Sequence, residues 1–255
     1  MQLRMSIWSA LLLSAFMTVN AQTTQPRNEI EVRGAFSIPS GEASFSSTGS
    51  TGTVIDFSRD FDFKTEFGFL VRYTHRTEDG KHKLLGEFGQ TKWNRTTALS
   101  RSFTFLGQTY VANLNTTGDL RLRDFRVMYA YRWGNEKIRI GPMADMGIVS
   151  VKLDLTGTTN NGTRSDSGKI TKFAATLGYD LDYDPTSQVS IFHNLGAIAF
   201  QGERLFHVEG GLKFHVTRQF GVTGGYKAVR YRVEKNDNFI LIRAHGPFIG
   251  GVFRF

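Results

Sequence analysis

The stretch "RDFRVMYAYRW" (123–133) alternates between two kinds of side chain along its whole length. From position 125 onward, its odd positions are apolar or aromatic: Phe125, Val127, Tyr129, Tyr131 and Trp133. The intervening positions include three charged residues, Asp124, Arg126 and Arg132. A period of two is typical of a β-strand with one apolar and one polar face, and it does not fit the period of a helix.

Two further stretches, 53–73 and 172–183, show the same period, with mostly apolar odd positions. Turn-forming Gly, Asn, Asp and Pro residues separate such runs along the chain. The pattern predicts ten strands, at about 29–38, 53–75, 82–105, 109–133, 137–155, 169–183, 188–200, 204–216, 220–234 and 239–255.

The connections between these strands are of two kinds, and the two kinds alternate. Compact turns are predicted at 77–81, 134–136, 184–187 and 217–219, whereas the longest breaks are at 39–52 and 156–168. An even number of strands puts both termini on the side of the compact turns. The pattern predicts an all-β fold, an antiparallel up-and-down transmembrane β-barrel of about ten strands, with eight as the alternative.

The first residues predict export. Residues 1–21, "MQLRMSIWSALLLSAFMTVNA", have a basic start, a short apolar run and small residues before the expected cleavage site. The domain organisation is therefore a signal peptide at 1–21 and a single barrel domain at 22–255. The chain contains no cysteine, so an exported domain needs another stabilising device, such as a closed hydrogen-bonded sheet. The net charge of +8 does not indicate nucleic acid in an exported protein; acidic lipid or polysaccharide phosphate is the expected counter-charge.

The apolar face is predicted to point outward into lipid, because its aromatic residues concentrate beside the compact turns. They are Tyr73, Tyr131, Trp133, Tyr183, Phe220, Phe253 and Phe255.

The chain ends on "GPFIGGVFRF", with Ile249, Phe253 and Phe255 at alternate positions. Together with the signal peptide and the amphipathic strands, this ending resembles the bacterial outer-membrane β-barrel proteins, broadly the small OmpW-like or opacity-type barrels. The resemblance implies residence in the outer membrane, contact with its lipid and lipopolysaccharide, and recognition of these three residues by the barrel-assembly machinery. Pro247 departs from the pattern, since it removes a ladder donor.

The polar face is predicted to line the lumen as a network of charged side chains. The predicted members are Lys64, Glu66, Arg72, Arg126, Arg139, Asp145, Lys172, Asp180 and Lys227. A narrow barrel filled in this way favours a structural or narrow-pore protein over a general porin. Passage of small or hydrophobic solutes is implied by the resemblance to OmpW-like barrels.

Two other functions compete with this interpretation. One is a barrel enzyme acting on lipid A or on peptides, for which His207 and Glu209 are weak catalytic candidates on one face of the eighth strand. The other is adhesion through the 39–52 and 156–168 loops and a projecting hairpin around "LGQTY" (106–110), where the third and fourth strands exceed the length of a membrane crossing. The sequence predicts no cofactor and no metal site, because its six histidines show no ligand spacing.

Four arginines continue the lipid-facing parity of their strands toward the outer end: Arg121, Arg123, Arg230 and Arg232. Arginine pairs well with phosphate because its guanidinium can donate two parallel hydrogen bonds. We therefore predict that these four residues contact lipopolysaccharide.

Overall fold

The computed structural model describes residues 27–200, 203–235 and 237–255. The predicted signal peptide lies outside these residues. One antiparallel sheet contains fourteen strands, of which ten are long and four have only two or three residues. The long strands are β1 (Asn28–Ser44), β3 (Glu66–Arg76), β4 (His82–Ala98), β7 (Asn115–Tyr131), β9 (Ile138–Thr159), β10 (Gly162–Tyr183), β11 (Val189–Phe200), β12 (Glu203–His215), β13 (Phe220–Lys235) and β14 (Asn238–Arg254).

The long strands follow one another around the sheet and close it into a barrel. Each pairs with its neighbour in this series, and β1 pairs with both β3 and β14. The last residue completes the closure, because the Phe255 N–H donates to the Asn28 carbonyl at 3.0 Å. This closed antiparallel architecture confirms the predicted fold class. Within the described ranges, no helix is long and apolar enough to cross a membrane.

The short strands account for the difference from the predicted number. They are β2 (Ile55–Asp56), β5 (Phe103–Phe105), β6 (Gln108–Tyr110) and β8 (Trp133–Gly134). Three of them lie at the end opposite the compact turns. We call the end with Arg27, Phe255 and the compact turns the turn end, and the opposite end the loop end.

The predicted strand at 53–75 is wrong over its first half. A π-helix occupies Phe57–Phe61, and the long strand begins only at Glu66. The Asp56 side chain caps this helix by accepting from the Ser58 and Arg59 N–H groups at 2.9 and 2.8 Å, which turns the chain away from the strand direction.

The loop-end boundaries also differ from those predicted. β1 continues through Ser44, so the predicted 39–52 break starts later. The predicted 156–168 loop is instead the paired ends of β9 and β10, which join at Asn160 and Asn161. The "LGQTY" hairpin exists as β5 and β6, but it folds over the barrel and does not project from it.

The outward face is apolar over the middle of the barrel. One row runs across four strands through Phe88, Phe125, Ile148 and Phe173, all of them exposed on the barrel surface. Aromatic side chains near the turn end are also exposed: Tyr73, Tyr131, Trp133, Tyr183, Phe220 and Phe255. An exterior of this kind needs an apolar solvent, and the aromatic girdle matches the interface of transmembrane barrels.

Candidate functional site: a lumen divided into a charged and an apolar half

The inward face changes its chemistry along the barrel axis. Toward the turn end, the lumen holds buried ionic side chains, which we call the charged half: Glu29, Glu31, Arg33, Arg72, Lys83, Glu87, Arg126, Arg132, Asp145, Asp180, Asp182, His207, Glu209 and Lys213. Lys227 joins them and is partly buried. Toward the loop end the inward side chains are apolar. The period of two explains both sets, because inward residues alternate with the lipid-facing ones.

Glu87 and Glu209 form the centre of the charged half. Glu209 accepts from Arg33 Nη1 at 2.7 Å and from Arg72 at 2.7 and 2.8 Å. Glu87 accepts from Arg72 Nε at 2.8 Å, from Arg126 at 2.9 Å and from Lys227 at 2.7 Å. These contacts join strands from opposite sides of the barrel, so the network cross-links the lumen wall.

A second group lies nearer the turn end. Lys83 Nζ bridges Asp180 at 2.9 Å and Asp182 at 3.1 Å, and Arg132 also binds Asp182. Lys213 binds both Glu29 and Glu31, which come from the first strand. Opposite charges are closely matched in number here, which is what buried ions require.

The apolar half begins on the loop-end side of this network. Its members come from seven strands: Trp93, Leu120, Leu122, Val149, Val151, Ile170, Leu205, Val229, Tyr231, Ile242 and Ala244. Trp93 is fully buried and donates its indole N–H to the Ser37 carbonyl at 2.8 Å. Its polar atom is therefore satisfied in a surrounding of apolar side chains.

Two segments close the lumen at the loop end, and we call them together the cap (residues 45–65 and 99–114). Their buried side chains continue the apolar half: Phe45, Ile55, Phe57, Phe61, Phe63, Leu99, Phe103, Phe105 and Tyr110. Backbone hydrogen bonds join the two segments, from Thr53 N to Thr104 O at 2.8 Å and from Leu106 N to Phe45 O at 3.0 Å. The cap therefore folds as one unit.

Inward glycines of the barrel wall receive the cap rings. A Cβ added to Gly118 would lie 2.7 Å from the Phe61 ring, and one added to Gly168 would lie 2.7 Å from the Phe45 ring. A larger residue at either position would displace the ring from the wall, so these glycines allow the cap to enter the barrel.

A buried carboxylate, Asp60, accepts hydrogen bonds from polar groups of both cap segments. Burial acts to raise the pKa of Asp60, but hydrogen bonds from Arg101, from Arg59 and from the Asp56 N–H outweigh it and lower the pKa to about 2. Tyr110 donates to Asp166 at 2.8 Å, and burial together with this carboxylate raises the pKa of the tyrosine. Asp60 therefore stays ionised at neutral pH and, by binding Arg101, joins the 45–65 segment of the cap to the 99–114 segment.

The structure separates the two catalytic candidates. His207 Nε2 lies 3.4 Å from Asp145 Oδ2, and Asp145 accepts a hydrogen bond from the Thr176 hydroxyl at 2.8 Å. Glu209 is held between Arg33 and Arg72 instead. A cavity of about 20 Å³ beside His207 has room for about one water molecule. The described residues contain no group of side chains that could hold a metal ion.

The predicted lumen residues fall into two sets. Arg72, Arg126, Asp145, Asp180 and Lys227 lie inside the charged half.

The other four predicted lumen residues lie outside the network's centre. Lys64 does not line the lumen: it follows the π-helix, is 58% exposed and pairs with Asp62 at 2.5 Å, because the chain there belongs to the cap and not to a strand. All three remaining residues are half-buried: Glu66 begins β3, Arg139 is the second residue of β9, and Lys172 lies in the middle of β10.

Much of the charged half is absent from the predicted lumen network. Glu29, Glu31 and Arg33 alternate with Ile30 and Val32, so their parity was a usable signal. Lys83, Glu87 and Lys213 carry the same signal, and Arg132 and Asp182 lie on the polar faces recognised from the sequence.

The four predicted lipid-facing arginines do lie on the outer surface, but most have protein partners. Arg123 donates to Gln90 at 2.6 Å, Arg232 pairs with Glu234 at 2.9 Å, and Arg121 lies 4.0 Å from Asp119. Arg230 has no ionic partner among the described residues. The C-terminal residues also face outward: Ile249 and Phe255 are exposed, and the Phe253 ring packs between Phe220 and Phe255 at 4.9 and 5.6 Å.

Comparison with solved structures finds similarity to bacterial outer-membrane barrels. The outer membrane protease OmpT of Escherichia coli superposes with a TM-score of 0.62 at 10% identity, covering 92% of this chain and 99% of that one. The translocator domain of the autotransporter NalP of Neisseria meningitidis gives 0.49 at 10% identity, covering 98% and 95%. Ail, the attachment invasion locus protein of Yersinia pestis, gives 0.40 at 13% identity, covering 90% and 99%.

No family model and no curated protein matches the chain. The similarity to OmpT, together with the apolar exterior and the aromatic girdle, shows that this chain has the fold of an integral outer-membrane β-barrel.

Proposed function

We propose that this protein is a structural outer-membrane barrel whose lumen is closed to ions and solutes. The observation that carries the proposal is the filling of the loop-end lumen by buried apolar side chains. Trp93, Leu120 and Leu153 have no exposed surface, and the cap packs Phe57 and Phe61 against them in the same core. We infer that the loop end faces the outside of the cell, as in outer-membrane barrels with short periplasmic turns.

An apolar constriction blocks ions for a physical reason. Water leaves a narrow apolar channel, and an ion that enters it loses its hydration shell without gaining new ligands. The charged half has polar ligands, but its charges already bind one another. A continuous path for ions would therefore require the cap to leave the barrel and the network below it to break.

The same arrangement argues against a catalytic role for the sequence candidates. His207 is buried below the cap, and the carboxylate of Glu209 is fully used by two guanidinium groups. A substrate at the cell surface could not reach either residue. We therefore propose no enzymatic function for this pair.

Planar-bilayer conductance of the refolded barrel tests the proposal, with heat-modifiable gel mobility to show that the barrel is folded. A general porin in the same bilayers is the positive control. We expect no discrete current steps from this protein. Regular single-channel steps from the intact chain would contradict a closed lumen.

A variant that removes part of the cap sharpens the test. The Asn113 N–H donates to the Leu99 carbonyl at 2.8 Å, so these two residues are adjacent. An Asn-Gly turn can therefore replace residues 100–112 without moving the ends of β4 and β7 apart. Combined with Glu87→Gln, which breaks the network below the cap, this replacement should make the barrel conduct, because Phe103, Phe105 and Tyr110 leave the lumen and the 45–65 segment loses its partner. The replacement alone should stay silent, since the charged network still fills the lumen. Arg232→Gln, on the outer surface, is the matched control and should stay silent.

A further inference from the structure

Two arginines face each other on the outer surface of the barrel. Arg230 on β13 and Arg243 on β14 are directly opposite in the strand register, and both are exposed. Like charges at such positions destabilise a sheet unless an anion lies between them. Neither guanidinium has a carboxylate at ion-pairing distance among the described residues, whereas Arg232, one row further out, pairs with Glu234.

The arginine pair lies at a defined depth in the membrane. Arg230 follows Phe220, a girdle residue at the turn end, by ten positions. At about 3.3 Å per residue and a strand tilt of about 40°, ten residues rise by roughly 25 Å, which is the height of the apolar band of an outer-membrane barrel. The guanidinium groups therefore lie where the outer leaflet passes from acyl chains to head groups.

An apolar groove lies on the surface beside this pair. Its lining includes the small side chains of Ala197 and Ala228 and the larger rings of Phe206 and Tyr226. Arg243 and His245 complete the rim on β14. The groove joins a surface that fits an acyl chain to a pair of cations that fits a phosphate.

His245 adds a directed polar atom to the rim. Its Nδ1 lies 2.6 Å from the Tyr226 hydroxyl. When that hydroxyl donates to Nδ1, the neutral ring carries its proton on Nε2 and can donate from there. The site thus offers three donating side chains, two guanidinium groups and one imidazole, beside apolar side chains.

We propose that this groove binds one lipid A molecule of lipopolysaccharide, with a phosphate between Arg230 and Arg243 and an acyl chain over Ala197 and Ala228. The proposal rests on the outer-membrane orientation given above, not on whether the lumen is closed. A bare arginine pair suits a phosphate because each guanidinium can donate two parallel hydrogen bonds to it. Because the pair lies at the head-group level of the outer leaflet, we expect the bound lipid to come from that leaflet.

The test is native mass spectrometry of the refolded, detergent-solubilised barrel, titrated separately with bis-phosphorylated lipid A, with dephosphorylated lipid A and with phosphatidylglycerol. We expect one bound lipid A per barrel and much weaker binding of the other two lipids. The double variant Arg230→Gln/Arg243→Gln should lose about tenfold or more in affinity, since each basic residue near a lipid surface contributes substantially. Lysine at both positions should restore part of the loss.

Two further variants separate the site from general surface charge. Arg232→Gln removes a neighbouring arginine that already has a partner, and it should bind lipid A as the unchanged protein does. Ala228→Trp keeps every charge but fills the groove; because residue 228 faces lipid, the barrel should fold normally and bind lipid A more weakly.

Several outcomes would overturn the proposal. They are unchanged binding in the double variant, an equal loss in Arg232→Gln, and equal affinity for phosphatidylglycerol and lipid A. Heat-modifiable mobility confirms that each variant is folded. Because conductance does not enter this assay, a conducting barrel would refute the closed lumen and leave the lipid result intact.

Discussion

The charged and apolar halves of the lumen fill the same barrel by different means. In the charged half, each group is stable only because specific partners from other strands surround it. Glu87, for example, binds Arg72, Arg126 and Lys227 from three different strands. In the apolar half, Leu120 and its neighbours need only a close fit of volume. The first half depends on the completeness of a network, and the second depends on packing.

This difference teaches where the barrel is sensitive. Removal of one partner from a buried ionic network leaves another charge without compensation, which costs more than the network contributes in total. Removal of methyl groups from a packed core leaves a cavity whose cost follows its volume. The two halves should therefore respond differently to substitutions of similar size.

The largest effect is expected for Glu87→Gln. The substitution keeps the shape of the side chain but leaves Arg72, Arg126 and Lys227 with an excess of buried positive charge. We expect the free energy of unfolding to fall by about 3–5 kcal/mol. Urea unfolding in lipid vesicles, followed by heat-modifiable mobility, measures the change. A loss below about 1 kcal/mol would show that the lumen is hydrated enough to screen these charges.

A smaller loss is expected for Leu120→Ala in the apolar half. Leu120 is fully buried, so truncation should cost about 3 kcal/mol through lost transfer energy and a residual cavity. Ile148→Ala is the matched control, because Ile148 faces lipid and acyl chains can fill the space that it leaves. Equal losses in the same urea assay would mean that the apolar half is not closely packed.

Much of the barrel wall could be predicted from the sequence, because the period of two is a local property. It identified the inward position of Arg72 and the outward position of Phe125. It could not identify partners, since Arg72 and Glu209 are 137 positions apart and meet only through barrel closure. The same period that orients a side chain says nothing about which residue stands opposite it across the lumen.

The cap shows where local pattern fails. Phe57, Phe61 and Phe63 are at odd positions, as apolar residues of a strand would be. The π-helix, whose first turn the Asp56 side chain caps, instead directs these rings toward the interior of the barrel. The predicted projection of the "LGQTY" hairpin was wrong for a related reason. Phe103, Phe105 and Tyr110 would have been exposed to water in a projecting hairpin, so they fold onto the lumen instead.

The cap should loosen in acid, before the barrel wall unfolds. The pKa of Asp60 is lowered to about 2 in the folded protein, so its contribution to stability is fully present above its unfolded pKa of about 4 and is lost as the pH falls toward 2. In a Trp133→Phe background of the chain from residue 22, Trp93 is the single tryptophan and lies beneath the cap. Its acrylamide quenching should rise between about pH 4 and 2.

The Asp60→Asn variant completes this test. Its cap should already be loosened at neutral pH, so the acid-dependent part of the quenching should disappear. An identical pH profile in the variant would assign the acid response to other groups.

The smallest effect is expected at the surface of the cap, where the structure offers a contrast to both halves of the lumen. Lys64 and Asp62 form an ion pair at 2.5 Å, but both side chains are more than half exposed. Water and salt screen such a pair, and two flexible side chains must be ordered to form it. Lys64→Gln should therefore leave both the urea midpoint and the quenching of Trp93 unchanged. A clear loss of stability would mean that this pair fixes the backbone conformation just after the π-helix. The cap would then depend on surface charge as well as on its apolar packing.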